Sequence, residues 1–159
     1  MIQSRFNFVH SGYSYRLTEL ESALGLGHLK IFNKELKQRK QNAEFLSNEL
    51  KHLESIGRIQ LPRIDKRASH SFMLYSIVVE GIEREKLINF LEDNGIMTRY
   101  MMPLLTQPIV KRLYGELSKL YPVSDYLNKH AFLIGVHPEL NSDDLKRIVK
   151  TIYKFYENN

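Results

Sequence analysis

Apolar positions recur at helical spacing over several stretches of this chain and cluster into short runs over others. From Phe32 to Leu53, the residues Leu36, Ala43, Leu46, Leu50 and Leu53 fall on one stripe, with Lys37, Arg39, Lys40 and Glu49 mostly elsewhere. That spacing predicts an amphipathic helix, which Gly57 ends. The run from His70 to Glu80 is rich in aromatic and β-branched residues and predicts a central strand. Ile82 to Asn94 predicts a helix with Leu87, Ile88 and Leu91 inward and Asn94-Gly95 as its stop. Ile96 to Met101 then predicts a second short strand.

After an irregular stretch from Pro103 to Pro108, Ile109 to Tyr114 predicts a short helical turn. Tyr121-Pro122 opens another helix, through Val123, Tyr126, Leu127 and Ala131, before a short strand from Phe132 to Val136 that His137-Pro138 breaks. The last element has the cleanest period: Leu145, Ile148, Val149, Ile152, Tyr153 and Tyr156 make one stripe. Asn141 or Ser142 caps it, and Asp143 and Asp144 suit the positive helix end. The order implies an α+β fold, a small sheet covered by helices. Pro62 and the charged run from Arg63 to Arg67 mark a surface loop.

The amino-terminal part reads differently. Residues 1–15 carry Phe6, Phe8, Tyr13 and Tyr15 without helical period, which suggests an extended lead-in ending in a turn at Gly12. Thr18 with Glu21 makes a capping box, followed by Leu20, Ala23, Leu24 and Leu26. Gly25 and Gly27 would each cost a helix about 1 kcal/mol against alanine. They imply either a close backbone approach by another element or a loose, kinked helix.

Composition narrows the class. The chain has 159 residues, 43% hydrophobic and 26% charged, as expected for one globular domain or a fragment of a larger one. It contains no cysteine, so neither a disulfide framework nor a thiolate metal site is available, and a cytosolic setting is expected. No apolar run is long enough to span a bilayer, and Met1 to Arg5 lacks a signal-peptide stretch. The net charge of +5 could suit an anion, but the cations mingle with acids, as in Asp143-Asp144-Leu145-Lys146-Arg147. Such mixing describes a solvated helix face, so no nucleic-acid partner is expected.

Most chemistry searched for is missing: no Gly-x-Gly-x-x-Gly, Walker A or His-Glu-x-x-His pattern, no nucleophile elbow, and no histidine pair at metal-ligand spacing. His28 and His52 read as solvated helix positions, and His137 as a loop residue. What remains is the turn from Tyr13 to Arg16. It offers hydroxyls, backbone amides and a guanidinium within a few residues, a donor set suited to a phosphate or a sugar diphosphate. Composition alone favours a plain helix lead-in, with Arg16 exposed and the tyrosines packed.

These residues carry a resemblance. The stretch from Gly12 to Leu26, GYSYRLTELESALGL, resembles the Gly-Tyr-Asn/Ser-Tyr-Arg-x-Thr-Glu-x-x-Ala-Ala-Leu-Gly segment of the DegT/DnrJ/StrS-type aminotransferases. Arg39 to Ala43 is similar to the family's Arg-x-x-Asn-Ala. Gly95 to Arg99, with Pro103-Leu104 and Gln107-Pro108, resembles its Gly-Ile-x-Thr-Arg…Pro-Leu…Gln-Pro block, and Ile134 to Leu140 resembles its closing segment. The likeness runs in order through essentially the whole chain and covers the carboxy-terminal part of the family.

The resemblance implies the small domain of a fold-type I, pyridoxal-phosphate-dependent transferase: a mainly antiparallel sheet covered by helices, with a long first helix. Residues 1–17 would form the lead-in and cofactor-phosphate turn, and 18–159 the small domain. It implies that Ser14 contacts the phosphate of a dimer partner's cofactor, with a shorter reach than the asparagine of many members. Tyr13, Arg16 and Arg99 become candidate substrate contacts. The family's cofactor-binding lysine and pyridine carboxylate lie upstream of Gly12, so no catalytic residue and no metal ligand is expected here. The expected role is the carboxy-terminal portion of an enzyme that aminates nucleotide-linked keto sugars for polysaccharide or lipopolysaccharide biosynthesis. Alone it is expected to be inactive and not to bind the cofactor, its partner being a second copy or a large-domain chain. The alternative is a non-catalytic binding or oligomerisation module of the same fold. Leu105-Thr106 replace a histidine that many members carry after the Pro-Leu, which points to a branch of the family; some branches are dehydratases.

Overall fold

The computed structural model describes residues 13, 15, 17–80, 84–101 and 104–157. The chain divides into two units, with the boundary between Asn33 and Lys34. Helix α1 (Glu19–Ser55) begins in the first and ends in the second. The capped stretch and the Phe32–Leu53 stripe therefore belong to one continuous helix. Gly25 and Gly27 lie inside it, and a Cβ at either would meet nothing within 4 Å.

The second unit continues with β1 (Ile59–Gln60), β2 (Tyr75–Val79), α2 (Arg84–Asp93) and β3 (Thr98–Tyr100). A 3₁₀ turn (Leu104–Thr106) follows, then α3 (Pro108–Tyr114), α4 (Pro122–His130), β4 (Ala131–Ile134) and α5 (Ser142–Glu157). The strands form one antiparallel sheet in the order β1-β2-β4-β3. Register fixes two rows on one face: Tyr75, Ile134 and Thr98 lie side by side, as do Ile77, Phe132 and Tyr100. The α+β fold is thus a helix-covered antiparallel sheet with a long first helix.

The core gathers on that face. Ala43, Leu46, Leu50 and Leu53 of α1, Leu87, Ile88 and Leu91 of α2, and Leu145, Ile148, Val149, Ile152 and Phe155 of α5 pack with Tyr75, Ile77, Val79, Phe132 and Ile134. Burying one such side chain stabilises by about 1.5–3 kcal/mol. Asn42 is buried among them and fully used: its amide nitrogen donates to the His137 carbonyl at 2.9 Å, and its oxygen accepts from Gln38. Tyr75, whose hydroxyl shares a hydrogen bond with Ser47, is pushed by burial up to about 12.

Four expectations need correction. The strand predicted over 70–80 starts only at Tyr75, because Phe72 has φ 49° and its amide donates to His70 Nδ1. That local turn interrupts the extended run. The second strand spans Thr98–Tyr100 rather than Ile96 to Met101. Ala131, expected at the end of a helix, is the first residue of β4 and pairs with Val78. In α5, Tyr153 and Tyr156 only edge the core, half-buried and donating to the carbonyls of Glu49 and Arg58, while Thr151 and Phe155, outside the expected stripe, are buried with Ile152. Asn141 is the cap: its side-chain oxygen accepts from the amides of Asp143 and Asp144, and Asp144 returns a bond to the Asn141 amide.

Candidate functional site

The amino-terminal turn shows Tyr13 85% and Tyr15 88% exposed, their rings 5.7 Å apart, so these tyrosines are not packed as a plain lead-in would have them. Ser14 and Arg16 lie outside the described residues. The helix start beside them is closed on itself. The Thr18 amide and hydroxyl both donate to Glu21 Oε2 at 2.8 Å, and the Glu21 amide donates to Thr18 Oγ1. These bonds, the backbone one first, hold the Glu21 carboxyl below its ordinary range. Glu19 adds a second negative charge to the same turn. A helix amino terminus usually favours anions, but this one carries its own.

In the second unit Arg99 sits in the middle of β3, opposite Leu133, whose β2 partner is Ser76. This is the face of the sheet away from the core. Its neighbours reach the other way. The Thr98 hydroxyl donates to Glu92 at 2.6 Å, and the Tyr100 hydroxyl to Glu85 at 2.5 Å. Arg84 pairs with Glu85, lies 5.0 Å from the centre of the Tyr100 ring, and donates to the Asn128 carbonyl. The Tyr100 hydroxyl, and then Arg84, hold the Glu85 carboxyl down, while the bond to Glu85 pushes the Tyr100 phenol up. Sequence reading missed Glu85, Glu92 and Tyr100. Their signal was a hydroxyl-arginine-hydroxyl alternation beside two glutamates seven residues apart.

Two hollows flank this region. A cleft of about 320 Å³ is lined by Gly95, Met97, His137, Asp144 and Arg147 among others. At its rim Arg147 donates to the Asn94 carbonyl, closing the end of α2. Gly95, with φ 73°, leaves room for it, since a Cβ there would lie 2.7 Å from the guanidinium. A second groove, about 520 Å³, includes Leu104, Val110, Tyr114, Leu117 and Tyr121. Leu105 is buried. His28, His52 and His137 are exposed.

Every lysine is described, and all are exposed except Lys40, which is half-buried and donates to Ser69. None lines either hollow. Among the described residues no group of three or more histidines and carboxylates could hold a metal ion. Among the described residues no helix is long and apolar enough to cross a membrane.

The comparisons with known proteins fit this picture. The chain is 26% identical over 161 residues to a lipopolysaccharide biosynthesis protein, RfbH, of Salmonella typhimurium, covering 96% of this chain and 36% of that protein. It is 28% identical over 148 residues to the GDP-perosamine synthase of Vibrio cholerae, covering 91% and 39%. The solved aminotransferase from Psychrobacter cryohalolentis shares the fold, with TM-score 0.84 at 21% identity, over 94% of this chain and 41% of that one. The chain thus spans about two fifths of the length of these relatives. Residues 2–153 match the DegT/DnrJ/EryC1/StrS aminotransferase family, and the chain belongs to it.

Proposed function

We propose that this chain is the carboxy-terminal portion of a pyridoxal-phosphate-dependent aminotransferase acting on nucleotide-linked keto sugars, in the cytosolic synthesis of polysaccharide or lipopolysaccharide sugars. One observation supports this above others: the family match is continuous over 2–153, while the chain covers only 36% and 39% of its relatives. The family uses pyridoxal phosphate, which when bound supplies the electron sink for amino transfer. This chain's residues fit its phosphate rather than its aldehyde. Tyr13 and Tyr15 stand exposed ahead of a self-capped helix, and the sequence there carries neutral and cationic donors in Ser14 and Arg16, whereas no lysine is enclosed.

On this reading residues 1–17 form the phosphate turn and 18–159 the small domain. Ser14 donates to the cofactor phosphate of a dimer partner. Tyr13, Arg16 and Arg99 bind the anionic part of the sugar nucleotide, and the remainder of the protein provides the covalent anchor. The isolated chain is then inactive. The test mixes the purified chain with pyridoxal phosphate and looks for an absorbance band that borohydride fixes to lysine. No stoichiometric band is expected from the chain alone, and amino transfer appears on reconstitution with the upstream portion. A stoichiometric, reducible band from the chain alone would overturn the reading.

The exposed leucines of the first half of α1 favour a second reading, a non-catalytic oligomerisation module. Light scattering separates the two, since a clean monomer at high concentration removes the support for assembly.

A further inference from the structure

β3 has three residues and pairs with β4 alone, so ladder hydrogen bonds secure it weakly. Yet it presents Arg99, whose usefulness to an anion depends on being held in place. The two residues that flank Arg99 both carry hydroxyls, and both reach α2. Thr98 donates to Glu92 and Tyr100 to Glu85. Residues seven apart on a helix lie on one face about 10 Å apart, and next-nearest residues on a strand lie about 7 Å apart. The two spacings match closely enough for one helix face to grip one strand face at two points.

Arg84 tightens the first point. Its guanidinium is bound to Glu85, packs against the Tyr100 ring, and is anchored on the Asn128 and Ala131 carbonyls. Strand alternation then sends Arg99 to the opposite face, in the row of Leu133 and Ser76. Glu85 and Glu92 of α2 are thereby engaged by hydroxyls and by Arg84, on the side of the sheet opposite the Arg99 position.

We infer that Glu85 and Glu92 are positioning residues: they clamp β3 through the Tyr100 and Thr98 hydroxyls and so fix the direction in which Arg99 meets an anionic substrate. The inference rests on the proposed role of Arg99 as a substrate contact.

Two measurements test it. In the isolated chain, Thr98→Val with Tyr100→Phe keeps the side-chain volumes and removes only the hydroxyls. Hydrogen exchange at residues 98–100 should rise at least about tenfold, with the amides of β2 and α5 unchanged. In the enzyme reconstituted with the upstream portion, the same double variant should raise KM for the nucleotide sugar about tenfold and leave kcat within about twofold. Glu85→Gln, which still accepts from Tyr100, should restore most of what Glu85→Ala loses. Unchanged exchange overturns the clamp. Raised exchange with KM unmoved overturns the positioning role. If Arg99→Ala leaves KM untouched, the substrate-contact reading beneath the inference fails, whatever the exchange shows.

Discussion

Leu46 and Leu24 occupy the same helix, yet the first is fully buried and the second is 59% exposed. The halves of α1 differ in how their apolar residues are arranged. In the second half they keep to one stripe, and that stripe is covered by the sheet and α5. In the first half Leu20, Leu24 and Ile31 share one side while Leu26 and Leu29 take another, and all are exposed. A helix that is apolar on more than one side is built to be enclosed. Gly25 and Gly27, two positions apart and so on opposite sides, leave room for close neighbours on both. The second half is therefore packed among the described residues, and the apolar residues of the first half stand exposed.

The strongest way to break that contrast is to truncate one leucine in each half. Leu50→Ala should lower the urea-unfolding free energy by about 2–5 kcal/mol, whereas Leu24→Ala should stay within about 0.5 kcal/mol of the parent. Equal losses would mean that both halves are packed in the isolated chain. Next in size, Asn42→Ala strands the His137 carbonyl and should cost about 1–3 kcal/mol in the same measurement.

The glycines sharpen the contrast with an opposite sign. Gly25→Ala and Gly27→Ala should each favour the helix by up to about 1 kcal/mol in the isolated chain, read as a gain in helical circular dichroism. In the reconstituted enzyme the same changes should weaken assembly, because a methyl group then meets the covering partner. The smallest effect is at the cap. Thr18→Ala should raise hydrogen exchange only over Glu19 to Ser22. Glu21 has a lowered carboxyl pKa, so its support is present above the ordinary carboxylate value and is lost as pH falls through the lowered one. Exchange in that turn should therefore rise on acidification in the parent and stay flatter in Thr18→Ala.

Much of the fold was legible because its elements bury regular stripes: α5, α2 and the second half of α1 follow their apolar spacing closely. Strand ends were less so. No period announces that Phe72 takes a left-handed conformation and turns His70–Leu74 away from the sheet. Nor could spacing show that α1 runs unbroken through two glycines. Of the candidate site residues, Arg99 falls on a strand near its expected place and Tyr13 is exposed. The Glu85, Glu92 and Tyr100 contacts stayed hidden because they join elements whose facing sides only the sheet order defines.

The polar ties of α1 carry a consequence for how the chain is made. Asn42 meets a carbonyl 95 residues further along, and the Tyr153 hydroxyl reaches back 104 residues to Glu49. Contacts so distant in sequence form late and slow the search for the native state. On the ribosome α1 emerges long before its covering does, with its leucine stripe open to other chains or to a chaperone until α5 has been synthesised. A nascent or clipped polypeptide lacking the final helix would leave that stripe short of part of its cover, so the first helix depends on the last for its full enclosure.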